Sequence, residues 1–254
     1  MTIKVARVPY LSYEPFYFDM ERRGLQLFDL LPNQVAEAAE NGDIDAGPIP
    51  LVDSFRLEDK FQPVAGFCVS VSSRAGSSLL CSHHPIQDLK GATIGIPAEA
   101  ATSPHLLQVL LNLKYKISPG AFVTAQESPD ALLLTGDPAL RRRRGIRGYP
   151  HTYDLGEEWN QWTGLPFVFS RWMARKDMDQ EEAALLEDTL YVGLEDGVDG
   201  LYHLSEPRPK LLMLAKDIME YIQGFRYFIG YSEQKAIDRF REYLQQISPE
   251  GSSA

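Results

Sequence analysis

The chain has 254 residues, 44% hydrophobic and 24% charged, with a formal net charge of −10 at pH 7. Such an acidic protein of ordinary composition is not expected to bind polyanions, so nucleic acid and anionic membrane surfaces are set aside as partners, while a local site can still hold a small anion. Its two cysteines, Cys68 and Cys81, lie in apolar runs without CxxC spacing, which argues against a disulfide framework or a zinc site and for buried thiols.

The N-terminal stretch "MTIKVARVPY" has no apolar core of signal-peptide length. No run approaches the roughly 20 apolar residues of a membrane span. The expected compartment is the cytoplasm.

In chain order, "IKVARVPYL" reads as a strand and "PFYFDMERRG" as a helix, with Pro15 in its first turn and Gly24 past its end. "LQLFDLL" is a strand, "PNQVAEAAENG" a helix opened by Pro32 and stopped at Gly42, and "IDAGPIPL" a short buried strand. This β-α-β-α-β start favours a mainly parallel sheet covered by helices. "GFCVSVSS" and "SSLLCS" follow, separated by a turn at Ala75–Gly76, and "HHPIQDLKG" leads into "ATIGIP". "SPHLLQVLLNLKY" is a helix with Ser103 as cap and Pro104 in the first helical position. "AFVTA" and "DALLLTG" are strands of a second sheet, and "LPFVFSRWMARKD" is a long apolar strand with helix from about Gln180. From "PRPKLLMLAKDIMEYIQGF" onward the chain reads as helical to Gln246, with "SPEGSSA" a frayed tail.

The expected architecture is two α/β lobes with a ligand cleft between them. Residues 1–82 and 172–254 would form one lobe and 83–171 the other, with "SSLLCS" and "PFVFSRW" as the crossings.

Ser12 and Tyr13 fall where the first strand meets the first helix, the edge that faces the crevice of an open α/β sheet. "AATSPHLL" repeats that joint with Thr102 and Ser103. Free N–H groups at a helix start, joined by hydroxyls, suit a carboxylate, although Ser103 alone is adequately explained as a cap. Ser77 and Ser78 follow a glycine in "SRAGSSLLCS" and read equally well as a polar hairpin turn. "LLLTGDPAL" ends a strand in Thr135, Gly136 and Asp137. Gly136 permits close backbone approach, and Asp137 is either a ligand contact or a helix cap.

The histidines, His83, His84, His105, His151 and His203, make no metal-ligand spacing, and His83–His84 reads as a solvated hinge. "LRRRRGIRGY" reads as a solvated basic loop. GxSxG, P-loop, GxGxxG and HExxH patterns do not occur.

Five stretches together resemble one family: "RVPYLSYEPFYF", "PNQVAEAAENGDIDAGPIPLVD", "SSLLCSHHPIQDLKGATIGIPAEAATSPHLL", "DALLLTGDPAL" and "YDLGEEWNQWTGLPFVFSRWMARKD". It is the chorismate dehydratase family of the futalosine route to menaquinone, enzymes with a periplasmic-binding-protein-like fold of type II. "DLGEEWNQWTGLPFVFSRW" is the most specific stretch.

The resemblance implies a lyase that dehydrates chorismate to 3-[(1-carboxyvinyl)oxy]benzoate without metal or organic cofactor. It places Ser12 where the family has a substrate-touching Asn, and implies a catalytic role for Ser12 with Ser77 or Ser78. Tyr13, Thr102, Ser103, Gly136 and Asp137 would bind substrate. Ile49 would join them, because "GPIPL" replaces a hydroxyl-bearing stretch of the family. A non-catalytic solute-binding or sensor protein for a small carboxylate, on the same fold, is the alternative.

Overall fold

The structure is a computed structural model that describes residues 2–124, 128–202 and 209–247. It begins with β1 (Lys4–Arg7), a 3-10 segment at Leu11–Tyr17, β2 (Gln26–Asp29), α1 (Pro32–Asn41), β3 (Ala46–Pro50), α2 (Leu51–Arg56) and β4 (Phe61–Val71). Then come β5 (Ser78–Ser82), β6 (Thr93–Ile96), α3 (Thr102–Val109), β7 (Ala121–Thr124), β8 (Ala131–Thr135), α4 (Gly136–Arg141), β9 (His151–Asp154) and α5 (Leu155–Thr163). The chain closes with β10 (Phe167–Arg175), α6 (Gln180–Tyr202), α7 (Ala215–Gln223), β11 (Phe225–Phe228) and α8 (Tyr231–Ile247).

Two sheets form, one ordered β11-β4-β10-β3-β1-β2 and the other β7-β6-β8-β5-β9. Each is mixed. Four of the nine strand pairings among the described residues are parallel and five antiparallel, so the expectation of mainly parallel sheets is corrected. The physical cause is the double exchange of the chain. A strand that returns from the other sheet, as β10 does between β3 and β4, enters in the opposite sense.

The segments expected to be crossings are strands that stay in one sheet each. Ser78–Ser82 belongs wholly to the second sheet and Phe167–Arg175 wholly to the first. The chain passes between sheets in residues 72–77 and 164–166, short stretches next to those strands. Continuous apolar runs signal burial on both faces, as the fully buried β5 shows, and carry no sign of which sheet a strand joins.

Local chemistry explains most elements. Pro32 opens α1, and Gly42, at φ 76°, closes it by donating its N–H to Ala38 and Ala39 carbonyls. Asp154 caps α5 by accepting from the Gly156 and Glu157 N–H groups. The helix expected at "PFYFDMERRG" is instead the 3-10 segment followed by turns, because Pro15 falls inside it and lacks the N–H an α-helix needs. The continuous C-terminal helix is interrupted by β11, which pairs with β4. The α3 cap is Ala101 rather than Ser103, which lies inside the first turn. His203 and the tail "SPEGSSA" lie outside the described residues.

The first-lobe core gathers around Phe16, whose ring packs 5.2 Å from Trp172, 5.3 Å from Tyr227 and 6.1 Å from Phe67. Each such ring contributes roughly 1.5–3 kcal/mol on burial. Gly193 and Gly197 on α6 lie directly under the carbonyls of Phe16 and Pro15, where an added Cβ would come within 2.7 and 2.4 Å. The 3-10 segment is therefore pressed between α6 and the sheet. Cys68 and Cys81 are both buried and free. No helix among the described residues is long and apolar enough to cross a membrane.

Candidate functional site

The two sheets meet at a cavity of about 60 Å³ lined by Tyr10, Ser12, Tyr13, Ser77, Thr102, Ser103, Thr135 and Gly136, with apolar walls from Pro48, Pro50 and Phe169. At roughly 10–15 Å³ per water, that space holds a few waters, and a ring-bearing ligand needs the walls to give around it. The lobes are drawn together in this structure and must part to admit one.

The ties that close them are specific. Leu11 donates its N–H to Asp137 Oδ1 (3.1 Å). Thr102 Oγ1 accepts from the Leu51 N–H (3.0 Å) and donates to the Phe169 carbonyl (2.9 Å). Gly136, at φ 59°, lies flat against the Tyr10 ring, where a Cβ would meet ring carbons at 2.5–2.7 Å. Arg143, in the loop after α4, holds Asp217 on α7 at 2.9 Å. The exchange at residues 72–77 is fixed by Asp154, which accepts from the Ala75 N–H (2.9 Å) and the Gly76 N–H (2.6 Å). Burial raises the Asp154 carboxyl above its ordinary value, and these N–H groups oppose that rise.

The sequence-predicted residues separate into groups. Ser12, Tyr13, Ser77, Thr102, Ser103 and Gly136 line the cavity. Tyr13 is buried, which pushes its phenol up to about 12. Ser78, one position along from Ser77, does not line it, and its hydroxyl donates to Ser103 Oγ at 3.0 Å. Ile49 does not line it either. It sits fully buried between Pro48 and Pro50, and the two-residue period of β3 sends it to the opposite face. Asp137 is tied to the Leu11 N–H at the rim. The Thr102 hydroxyl already uses its proton on Phe169, so it acts as a tie between lobes.

The two helix starts differ as well. At the first, the N–H of Leu11 goes to Asp137 and that of Tyr13 to the Tyr10 carbonyl at 2.9 Å, which leaves little for an anion. At α3, the opening N–H groups have no partner within the helix. His83 lies beyond β5, stacked on Tyr149 at 4.2 Å, and not at the exchange between sheets. Among the described residues no group of three or more His, Cys, Asp and Glu side chains is placed to hold a metal.

Two residues that the sequence reading did not single out for ligand contact stand apart. Tyr10 Oη and Thr135 Oγ1 are buried and have no hydrogen-bond partner, and both residues line the cavity. Tyr10 is 8% and Thr135 7% exposed. They come from opposite lobes. A buried hydroxyl without a partner costs free energy, roughly 1–3 kcal/mol, so such atoms collect where a ligand supplies the missing bond. Among the described residues no Lys, Arg, His, Asp or Glu lines the cavity. Its polar chemistry is neutral hydroxyls and backbone N–H groups.

A family model described as menaquinone biosynthesis matches residues 3–246. The chain belongs to that family. It is 23% identical over 255 residues to a chorismate dehydratase of Thermus thermophilus, with 92% of each chain covered. A solved protein of Archaeoglobus fulgidus superposes with a TM-score of 0.74 at 14% identity, covering 96% of this chain and 97% of that one. A Candida albicans protein described as having the generic periplasmic binding protein fold superposes with a TM-score of 0.59 at 12% identity, covering 99% and 92%. These likenesses establish a two-lobed α/β fold of the periplasmic-binding-protein kind.

Proposed function

We propose that this member of the menaquinone biosynthesis family is a lyase that removes water from chorismate to give 3-[(1-carboxyvinyl)oxy]benzoate. The observation that carries the reading is the pair of unpaired buried hydroxyls, Tyr10 and Thr135, in a cavity that no charged side chain among the described residues lines. Chorismate is a dianion whose ring bears an alcohol, so it offers acceptors to those hydroxyls and a carboxylate to the start of α3.

The chemistry fits a site of this kind. The C3 proton departs, the C3–H electron pair enters the ring, and the C4 hydroxyl leaves as hydroxide that takes up a proton to become water. Aromatisation drives the step. The protein's share is to hold the ring, donate hydrogen bonds to charge developing on the ring carboxylate, and exclude water by closing. Ser12 and Ser77, which both line the cavity, would assist proton movement. A binding protein for the same dianion would use the same contacts without conversion.

The test is to incubate purified protein with chorismate and follow formation of the aromatic product. Turnover is expected, and Tyr10→Phe with Thr135→Val should lower kcat/KM without lowering Tm, since neither hydroxyl has a partner to lose. Chorismate bound but never converted would establish the binding-protein reading instead.

A further inference from the structure

The helix α7, "AKDIMEYIQ", buries Ile218 and Ile222 on one face. Tyr221 lies on the same side, and its ring packs 4.9 Å from Phe225 and beside Gly76. The phenol reaches past the sheet exchange and donates to Ser77 Oγ at 2.8 Å. Four residues after α7, the Tyr227 hydroxyl donates to the Ser12 carbonyl at 3.2 Å. The C-terminal part of the chain thus touches two of the three serines that line the cavity, Ser12 and Ser77.

The two adjacent serines are treated differently. Ser78 spends its proton on Ser103. Ser77 receives a proton from Tyr221 and has only the Ala75 carbonyl, at a long 3.4 Å, for its own. A hydroxyl that accepts a good hydrogen bond becomes a better donor, and its rotamer is fixed by that bond. The weak bond to Ala75 is easily exchanged for one to a ligand.

We propose that Tyr221 is a positioning residue for Ser77, holding Oγ so that Ser77, and not Ser78, presents its proton to the substrate. The assignment rests on the dehydratase reading above for the identity of that substrate. Burial, opposed by the hydroxyls of Ser77 and Ser12, pushes the Tyr221 phenol far above its ordinary value, so it remains a donor at every physiological pH.

Tyr221→Phe removes one oxygen and keeps the ring packing. In the wild-type background it should lower kcat about tenfold, the order expected for one neutral hydrogen bond, with KM and Tm little changed. Ser77→Ala should lower kcat further, and the Tyr221→Phe loss should be much smaller in the Ser77→Ala background than in the wild type, because the part of the effect that runs through Ser77 is then gone and only the Tyr221 contact with the Ser12 hydroxyl remains. Multiplying effects, or wild-type kcat in Tyr221→Phe, would overturn the proposal. If the wild type binds chorismate without converting it, the dehydratase reading fails and the same cycle is read in chorismate affinity. A crystal structure of Tyr221→Phe reads the proposal independently of either. Ser77 Oγ should leave its single rotamer, and an unmoved Ser77 would overturn it.

Discussion

Gly136→Ala adds one methyl where the second lobe touches the first. An alanine at φ 59° costs roughly 1–2 kcal/mol whether the lobes are open or closed. The new Cβ would also lie 2.5–2.7 Å from three carbons of the Tyr10 ring, and forced overlap in a packed wall costs roughly 1–3 kcal/mol. Tyr10 and Gly136 sit in different lobes, so parting the lobes relieves this second cost. It therefore falls on closure alone. A closure penalty of about 1–3 kcal/mol weakens any ligand that needs the closed state about 5- to 150-fold. Calorimetric titration with chorismate should show that loss. Small-angle scattering of the ligand-free protein should show a larger radius of gyration, and Tm should fall by only the first component. A variant that binds as tightly as wild type and stays as compact would refute the view that this contact sets lobe closure.

Thr102→Val strands the Leu51 N–H and the Phe169 carbonyl and should cost roughly 1–3 kcal/mol in chemical denaturation, whereas Thr102→Ser keeps both bonds; equal losses in the two variants would contradict the tie between lobes. Asp130 accepts from the Thr93 N–H and hydroxyl, both at 2.8 Å, which hold its carboxyl below the ordinary value. A lowered carboxyl stabilises fully above the usual carboxylate range and loses that contribution as pH falls through the lowered value. Asp130→Asn should therefore be less stable than wild type at neutral pH, with the gap closing in acid unfolding titrations.

The sequence was most legible where a residue's role is local. Pro32 and Gly42 bracket α1 through backbone geometry alone, and the joint at Thr102–Ser103 sits at a helix start as expected. It was least legible where the role depends on the other lobe. Tyr10 reads as the end of an apolar strand. Its unpaired hydroxyl acquires meaning only when Thr135 and Gly136 close over it from residues more than a hundred positions away. Thr102 looks like a free donor until Leu51 and Phe169 arrive. Tyr221 fits an amphipathic helix pattern, and nothing nearby in sequence points to Ser77. Ile49 and Ser78 failed for a simpler reason, since one step along a strand moves a side chain to the opposite face.

The position of β10 governs the order in which the molecule can be completed. Among the described residues the strands of the second sheet lie between residues 78 and 154 and pair with one another. The first sheet has no such independence. Among the described residues its strand β4 pairs with β10 and β11, and β10 is also the link from β4 to β3. Until Phe167–Arg175 has been synthesised, β3 and β4 have no strand between them, and the first lobe exists as two separate pieces of a sheet. A ribosome making this chain from its N-terminus thus releases the parts of the second lobe as one finished set, while the lobe begun earliest waits for its middle strand.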